Sequence, residues 1–74
     1  MKKLNELKTG EKGRINKFQG NSGIKRHLMG LGFVKGAKLE VTKIAPLGDP
    51  LEVKIRNTHI SMRKEEAKNI ELKT

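Results

Sequence analysis

At 74 residues the chain has room for one domain, near the size at which a single apolar core only just suffices. It carries no cysteine, which excludes a disulfide framework or a thiolate metal site, and no apolar run approaches the ~20 residues of a membrane span. Its 17 basic and 8 acidic residues leave +9, a balance that favours nucleic acid, an acidic protein face or an anionic membrane leaflet without choosing among them. The basic residues are spread from Lys2 to Lys73 and most read as solvated surface. No signal peptide is expected behind Met1-Lys2-Lys3-Leu4-Asn5-Glu6, so the chain reads as a small soluble protein, and its lack of cysteine fits a reducing, cytoplasmic setting.

The first strand is expected over Glu11 to Phe18, after the Thr9-Gly10 turn. Ile15 and Phe18 fall on opposite faces there unless a bulge intervenes. Gln19-Gly20-Asn21-Ser22-Gly23 is a turn cluster that offers Asn21 or Ser22 as an N-cap. Ile24, Leu28 and Leu31 then recur at i, i+4 and i+7, one face of a short helix that Gly30 and Gly32 end. Val34-Lys35-Gly36-Ala37 reads as a turn with Gly36 at the positive-φ position of type II.

Leu39 to Ile44 and Leu51 to Arg56 are the next two strands, the second alternating cleanly through Leu51, Val53 and Ile55. Asn57-Thr58 is the expected hairpin turn, and Ile60 and Met62 continue the alternation beyond it. Arg63 to Ala67 suits one helical turn, and Ile70 with Leu72 forms a last short strand. The reading is mostly β, one domain over residues 1–74: a small barrel of about five strands, with one short helix between strands 1 and 2 and a helical turn before the last. An SH3-like barrel and an OB-fold share this outline.

Ala45-Pro46-Leu47-Gly48-Asp49-Pro50 interrupts the two middle strands. Proline cannot donate to a ladder, so pairing stops at Pro46 and resumes after Pro50. Gly48 supplies positive φ, and Asp49 can accept backbone hydrogen bonds within the bend. Leu47 is left near the tip, either as a plug folded over the barrel mouth or as an exposed apolar anchor.

These segments together resemble FeoA, the family of small cytosolic ferrous iron transport proteins A, from Leu4 to Leu72. The resemblance is carried by Gly10-Glu11-Lys12-Gly13-Arg14-Ile15, by Ile24 through Gly36, by the Ala45–Pro50 run, and by Ile60-Ser61-Met62-Arg63-Lys64-Glu65-Glu66-Ala67. The chain departs from the family at Lys35, where proline is usual, at Gly30, where a polar or acidic residue is usual, and at His27. The resemblance implies an SH3-like barrel and a non-enzymatic accessory role in bacterial ferrous iron uptake. The implied partner is the large inner-membrane ferrous iron transporter with its cytosolic GTP-binding domain.

Residue chemistry points the same way. Ser22, Ser61, His27 and His59 form no recognised nucleophile order, and no P-loop is present, so no catalytic residue and no cofactor are expected. No His-x-x-x-His or Glu-x-x-His spacing occurs, and Glu65 and Glu66 would point apart, so no metal ligand is assigned. His59 is expected beside Arg56 and Arg63, where cation repulsion disfavours a bound ion. Lys25 and Arg26 stand in the first turn of the helix, where the dipole disfavours cations. They, with Leu47 and Asp49, are the candidate partner-binding residues. The alternative is a small basic RNA-binding barrel, against which stands the lack of any aromatic beyond Phe18 and Phe33 for stacking. A membrane-surface adaptor is a third reading, weakened by the shortness of the helix.

Overall fold

The alternation of Leu51, Val53 and Ile55 decides which face of the sheet is inside: all three are buried, while Lys54 between them is exposed. The computed structural model describes residues 2–19 and 22–73, with side chains for all of these except 22–24. The expected N-cap at Asn21 or Ser22 and the packing of Ile24 lie outside the described residues.

In chain order the elements are β1 (Lys2–Lys3), a 3₁₀ turn (Leu4–Glu6), β2 (Lys12–Phe18), α1 (Ser22–Gly30), β3 (Lys38–Ile44), β4 (Leu51–Ile55), β5 (Thr58–Met62), α2 (Lys64–Ala67) and β6 (Ile70–Lys73). The strands form one antiparallel sheet in the order β1-β6-β2-β3-β4-β5. The five expected strands are β2 to β6, and the sixth is the two-residue β1, which pairs Lys2 with Leu72. The sheet curls around a core that includes Leu4, Phe33, Val41, Val53, Ile70 and Leu72, with no buried charge among the described residues. Burying Phe33 completely contributes about 2–3 kcal/mol.

Two bulges make the curl. Between Ile15↔Leu72 and Lys17↔Glu71 the register slips, so Asn16 is the extra residue of β2, and its Nδ2 donates to Glu71 Oε1 at 3.3 Å. This is the bulge that Ile15 and Phe18 required, and both now pack on the core. Thr42 is the extra residue of β3, and its hydroxyl donates to Glu52 at the carbonyl (3.2 Å) and at Oε2 (3.1 Å).

The helix ends in a Schellman motif. Phe33 N–H donates to Leu28 O at 3.0 Å and Gly32 N–H to Met29 O at 3.1 Å, with Gly32 at φ +105°. Leu28 and Phe33, the two residues such a cap brings together, are both buried. Leu31 therefore differs from its expected core role: it sits where the chain leaves the helix axis, 39% exposed, and Phe33 takes the core place. Gly36, at φ +89°, occupies the expected turn, closed by Ala37 N–H to Val34 O at 3.0 Å.

The β4–β5 turn lies one residue earlier than expected. Ile55 pairs with Thr58, so Arg56 and Asn57 are the two loop residues, both at positive φ (51° and 64°), as a type I′ hairpin demands. The N-terminal segment is an addition to the expected elements. Leu4 and Leu7 enter the core, held by Lys3 N–H to Glu6 Oε1 and Lys8 N–H to Glu11 Oε1, each 2.7 Å.

Candidate functional site

The β3–β4 loop is built from its ends inward. Ile44 pairs with Leu51, Ala45 N–H donates to Pro50 O at 3.1 Å, and Gly48 N–H donates to Ala45 O at 2.7 Å. Pro46 takes the second position of that turn and Gly48 follows at φ +88°. Leu47 is thereby held at the tip, 95% exposed, which removes the plug role from the two that its sequence position allowed. Asp49 does not hydrogen-bond inside the bend as its position suggested. Its Oδ1 accepts from the Lys64 amide at 2.8 Å, and its Oδ2 lies 3.7 Å from Arg63 Nη1. The loop is thus fastened to the start of α2.

Lys25 and Arg26 are exposed on α1, whose Leu28 faces the core. The C-terminal end of α1 meets the β4–β5 turn, where the Arg56 side chain covers Gly32. Leu47 lies beyond the opposite end of β4, a strand about 13 Å long. Leu47 and the Lys25–Arg26 pair are thus exposed features of different chemistry, one apolar and one cationic.

His59 has an acidic neighbour that its sequence position did not announce. The register sets Lys54 directly opposite it, and Glu52 approaches diagonally, with Oε2 at 3.4 Å from Nδ1. Glu65 pairs with Lys68 at 2.8 Å and Glu66 accepts from the Arg63 amide at 2.9 Å, so each carboxylate has its own local partner. No three His, Asp or Glu side chains group as metal ligands among the described residues.

One feature escaped the one-dimensional reading. The outer face of the sheet carries a groove of about 550 Å³ whose charged lining is Lys12, Arg14, Lys38, Lys54, Arg56 and Lys73, with Glu40 as the one acid. Register assembles it: Lys73, Arg14 and Lys38 stand directly opposite one another across β6, β2 and β3, and Lys12, Glu40 and Lys54 form the neighbouring row across β2, β3 and β4. The signal available in the sequence was the i, i+2 spacing of Lys12 with Arg14 and of Lys54 with Arg56, each on the polar side of its strand.

The FeoA domain family matches residues 2–74. A fusion protein of Porphyromonas gingivalis, Fe(2+) transport protein A joined to the Fe(2+) transporter FeoB, is 34% identical over 70 residues; the match is 95% of this chain and 8% of that much longer protein. The FeoA protein of Chlorobium tepidum superimposes with a TM-score of 0.91 at 42% identity, over 96% of this chain and 68% of that one. The FeoA of Stenotrophomonas maltophilia, solved in complex with zinc and described as a prokaryotic SH3 domain protein, gives 0.87 at 31% identity, over 99% of this chain and 91% of its own. With the family's model matching residues 2–74 and these relatives sharing its fold along nearly the whole chain, this chain belongs to the FeoA family.

Proposed function

We propose that the protein is a non-enzymatic accessory factor of bacterial ferrous iron uptake, acting at the cytosolic face of the membrane. It binds the cytosolic GTP-binding region of the membrane ferrous iron transporter. The observation that carries this reading is the P. gingivalis fusion, in which a module like this one and the transporter share one polypeptide. Iron is the cargo of the transporter in this reading.

Two surfaces suit the contact. Leu47, presented by a loop closed at both ends, can enter an apolar pocket with little ordering cost. Lys25 and Arg26 steer the approach to an acidic face. Asp49 acts through position, by aiming the loop that carries Leu47. Calorimetric titration of the chain into the isolated GTP-binding domain tests the reading, with Leu47→Asp and Lys25→Glu/Arg26→Glu alongside. Saturable binding that weakens at least about tenfold in Leu47→Asp is expected. Absence of binding to that domain, with a folded chain, refutes it.

A further inference from the structure

The groove on the outer face of the sheet has a charge arrangement that folding alone does not favour. Arg14 is flanked on both sides by a directly opposed cation, Lys73 on β6 and Lys38 on β2's other neighbour, β3. Opposed like charges destabilise a sheet. The next row is only half compensated, with Glu40 between Lys12 and Lys54. Among the described residues, no carboxylate lies within salt-bridge distance of any of the six groove cations; the ion pairs formed are His59–Glu52, Arg63–Asp49 and Lys68–Glu65, all elsewhere. Arg14 is further held by a hydrogen bond from Nη1 to Gly36 O at 3.3 Å, which fixes it beside Lys38 at the groove wall.

The spacing selects the ligand. Neighbouring strands are about 4.8 Å apart, so the backbones of Lys73, Arg14 and Lys38 fall within about 10 Å and their side chains rise from the same face. An extended acidic peptide offers a carboxylate on one face only every second residue, about 6.7 Å apart, which leaves such a row undermatched. Phosphates joined through single bridging oxygens supply charge at the needed density, and lysine and arginine both bind them well. The groove is open to solvent and, at about 550 Å³, has room for a short chain of phosphates. The lining has no aromatic ring: Phe33 is fully buried in the core, and Phe18 packs against that core. The aromatic platform on which a base commonly stacks is therefore missing, which leaves charge as the main means of recognition.

We infer that this groove is a binding site for a chain of linked phosphates, read through charge alone, so that inorganic triphosphate and the triphosphate of a nucleotide occupy it alike. The inference stands on the groove and is independent of the transporter contact. Lys12, Arg14, Lys38 and Lys54 surround the phosphates from three strands, and Arg56 and Lys73 close the two ends of the row.

Titration of the whole chain, followed by amide NMR shifts at physiological salt, tests this with inorganic triphosphate, GTP, inorganic phosphate and a short single-stranded RNA as separate probes. Triphosphate and GTP should bind saturably and with similar affinity, with shifts centred on residues 12–14, 38–40 and 54–56, and inorganic phosphate should bind far more weakly. Arg14→Gln/Lys38→Gln should weaken triphosphate by at least roughly tenfold while keeping the spectrum of a folded chain, and Lys43→Gln, on β3 outside the groove, should leave affinity unchanged. If the double variant fails to fold, Lys12→Gln/Lys54→Gln serves the same purpose from the other row. Binding of GTP without triphosphate, binding of RNA without triphosphate, or equal loss in Lys43→Gln would each overturn the assignment.

Discussion

Asp49 caps a helix fifteen residues away: its Oδ1 accepts from the backbone amide of Lys64, the first residue of α2, at 2.8 Å. Arg63, at the N-cap position itself, has no side-chain oxygen to offer, so a residue from the β3–β4 loop supplies the acceptor. Asp49→Ala should cost about 1 kcal/mol in urea unfolding, the typical value of an N-cap. Asp49→Asn keeps an acceptor and should cost much less, because the Arg63 contact is long and solvent-exposed. Equal losses in the two variants would shift the weight to the ion pair.

Two glycines separate backbone strain from packing. Gly36 (φ +89°) has open space around a would-be Cβ, whereas at Gly32 (φ +105°) that atom would meet Arg56 Cδ at 3.2 Å. Gly36→Ala should therefore lose only the conformational term, about 1–2 kcal/mol. Gly32→Ala should lose more, and Gly32→Ala/Arg56→Ala should recover the excess. Thermal unfolding of the three variants measures the contact directly.

Arg14→Gln relieves two like-charge pairs across the sheet at once. The folded protein should gain roughly a few tenths of a kcal/mol at low salt, and the gain should shrink as salt screens the repulsion. A variant that is more stable yet binds triphosphate less well would show charge retained for binding at the expense of stability.

Leu47 makes the opposite case, since it is 95% exposed and can be removed without disturbing the core. Leu47→Asp should leave the unfolding midpoint nearly unchanged, within about 0.5 kcal/mol, while abolishing the apolar part of the proposed transporter contact. Phe33→Ala, by contrast, should cost about 3–5 kcal/mol through the cavity it opens.

Local chemistry was legible in the sequence wherever it acted over a few residues. The alternation of Leu51, Val53 and Ile55 needs no distant partner to be read, and neither does Gly36 in its turn. Even the β2 bulge was visible in the mismatch of Ile15 and Phe18. The β4–β5 turn was displaced by one residue because Arg56 adopts positive φ, which arginine seldom does and composition does not signal. Leu4 and Leu7 carried a faint i, i+3 cue, and their burial depends on β6 arriving beside β1 from the far end of the chain.

The candidate site divides along the same line. Leu47 was recognisable from the prolines around it, but whether it faced in or out depended on the tertiary fastening by Asp49 and Lys64. The cationic groove is a product of register alone. Lys12, Arg14, Lys38, Lys54 and Lys73 come from four strands, and only the order β6-β2-β3-β4 makes neighbours of them.

The pairing of Lys2 with Leu72 lays β1 and β6, the first and last strands, side by side. A tether running on from either strand would hold the barrel in much the same place relative to an attached neighbour. Under such tethering the second encounter becomes intramolecular, governed by the reach of the linker and not by how much of the protein is in solution. A permuted chain, joined across Lys2 and Lys73 and opened elsewhere, would test how much of the barrel depends on the order in which its strands are made.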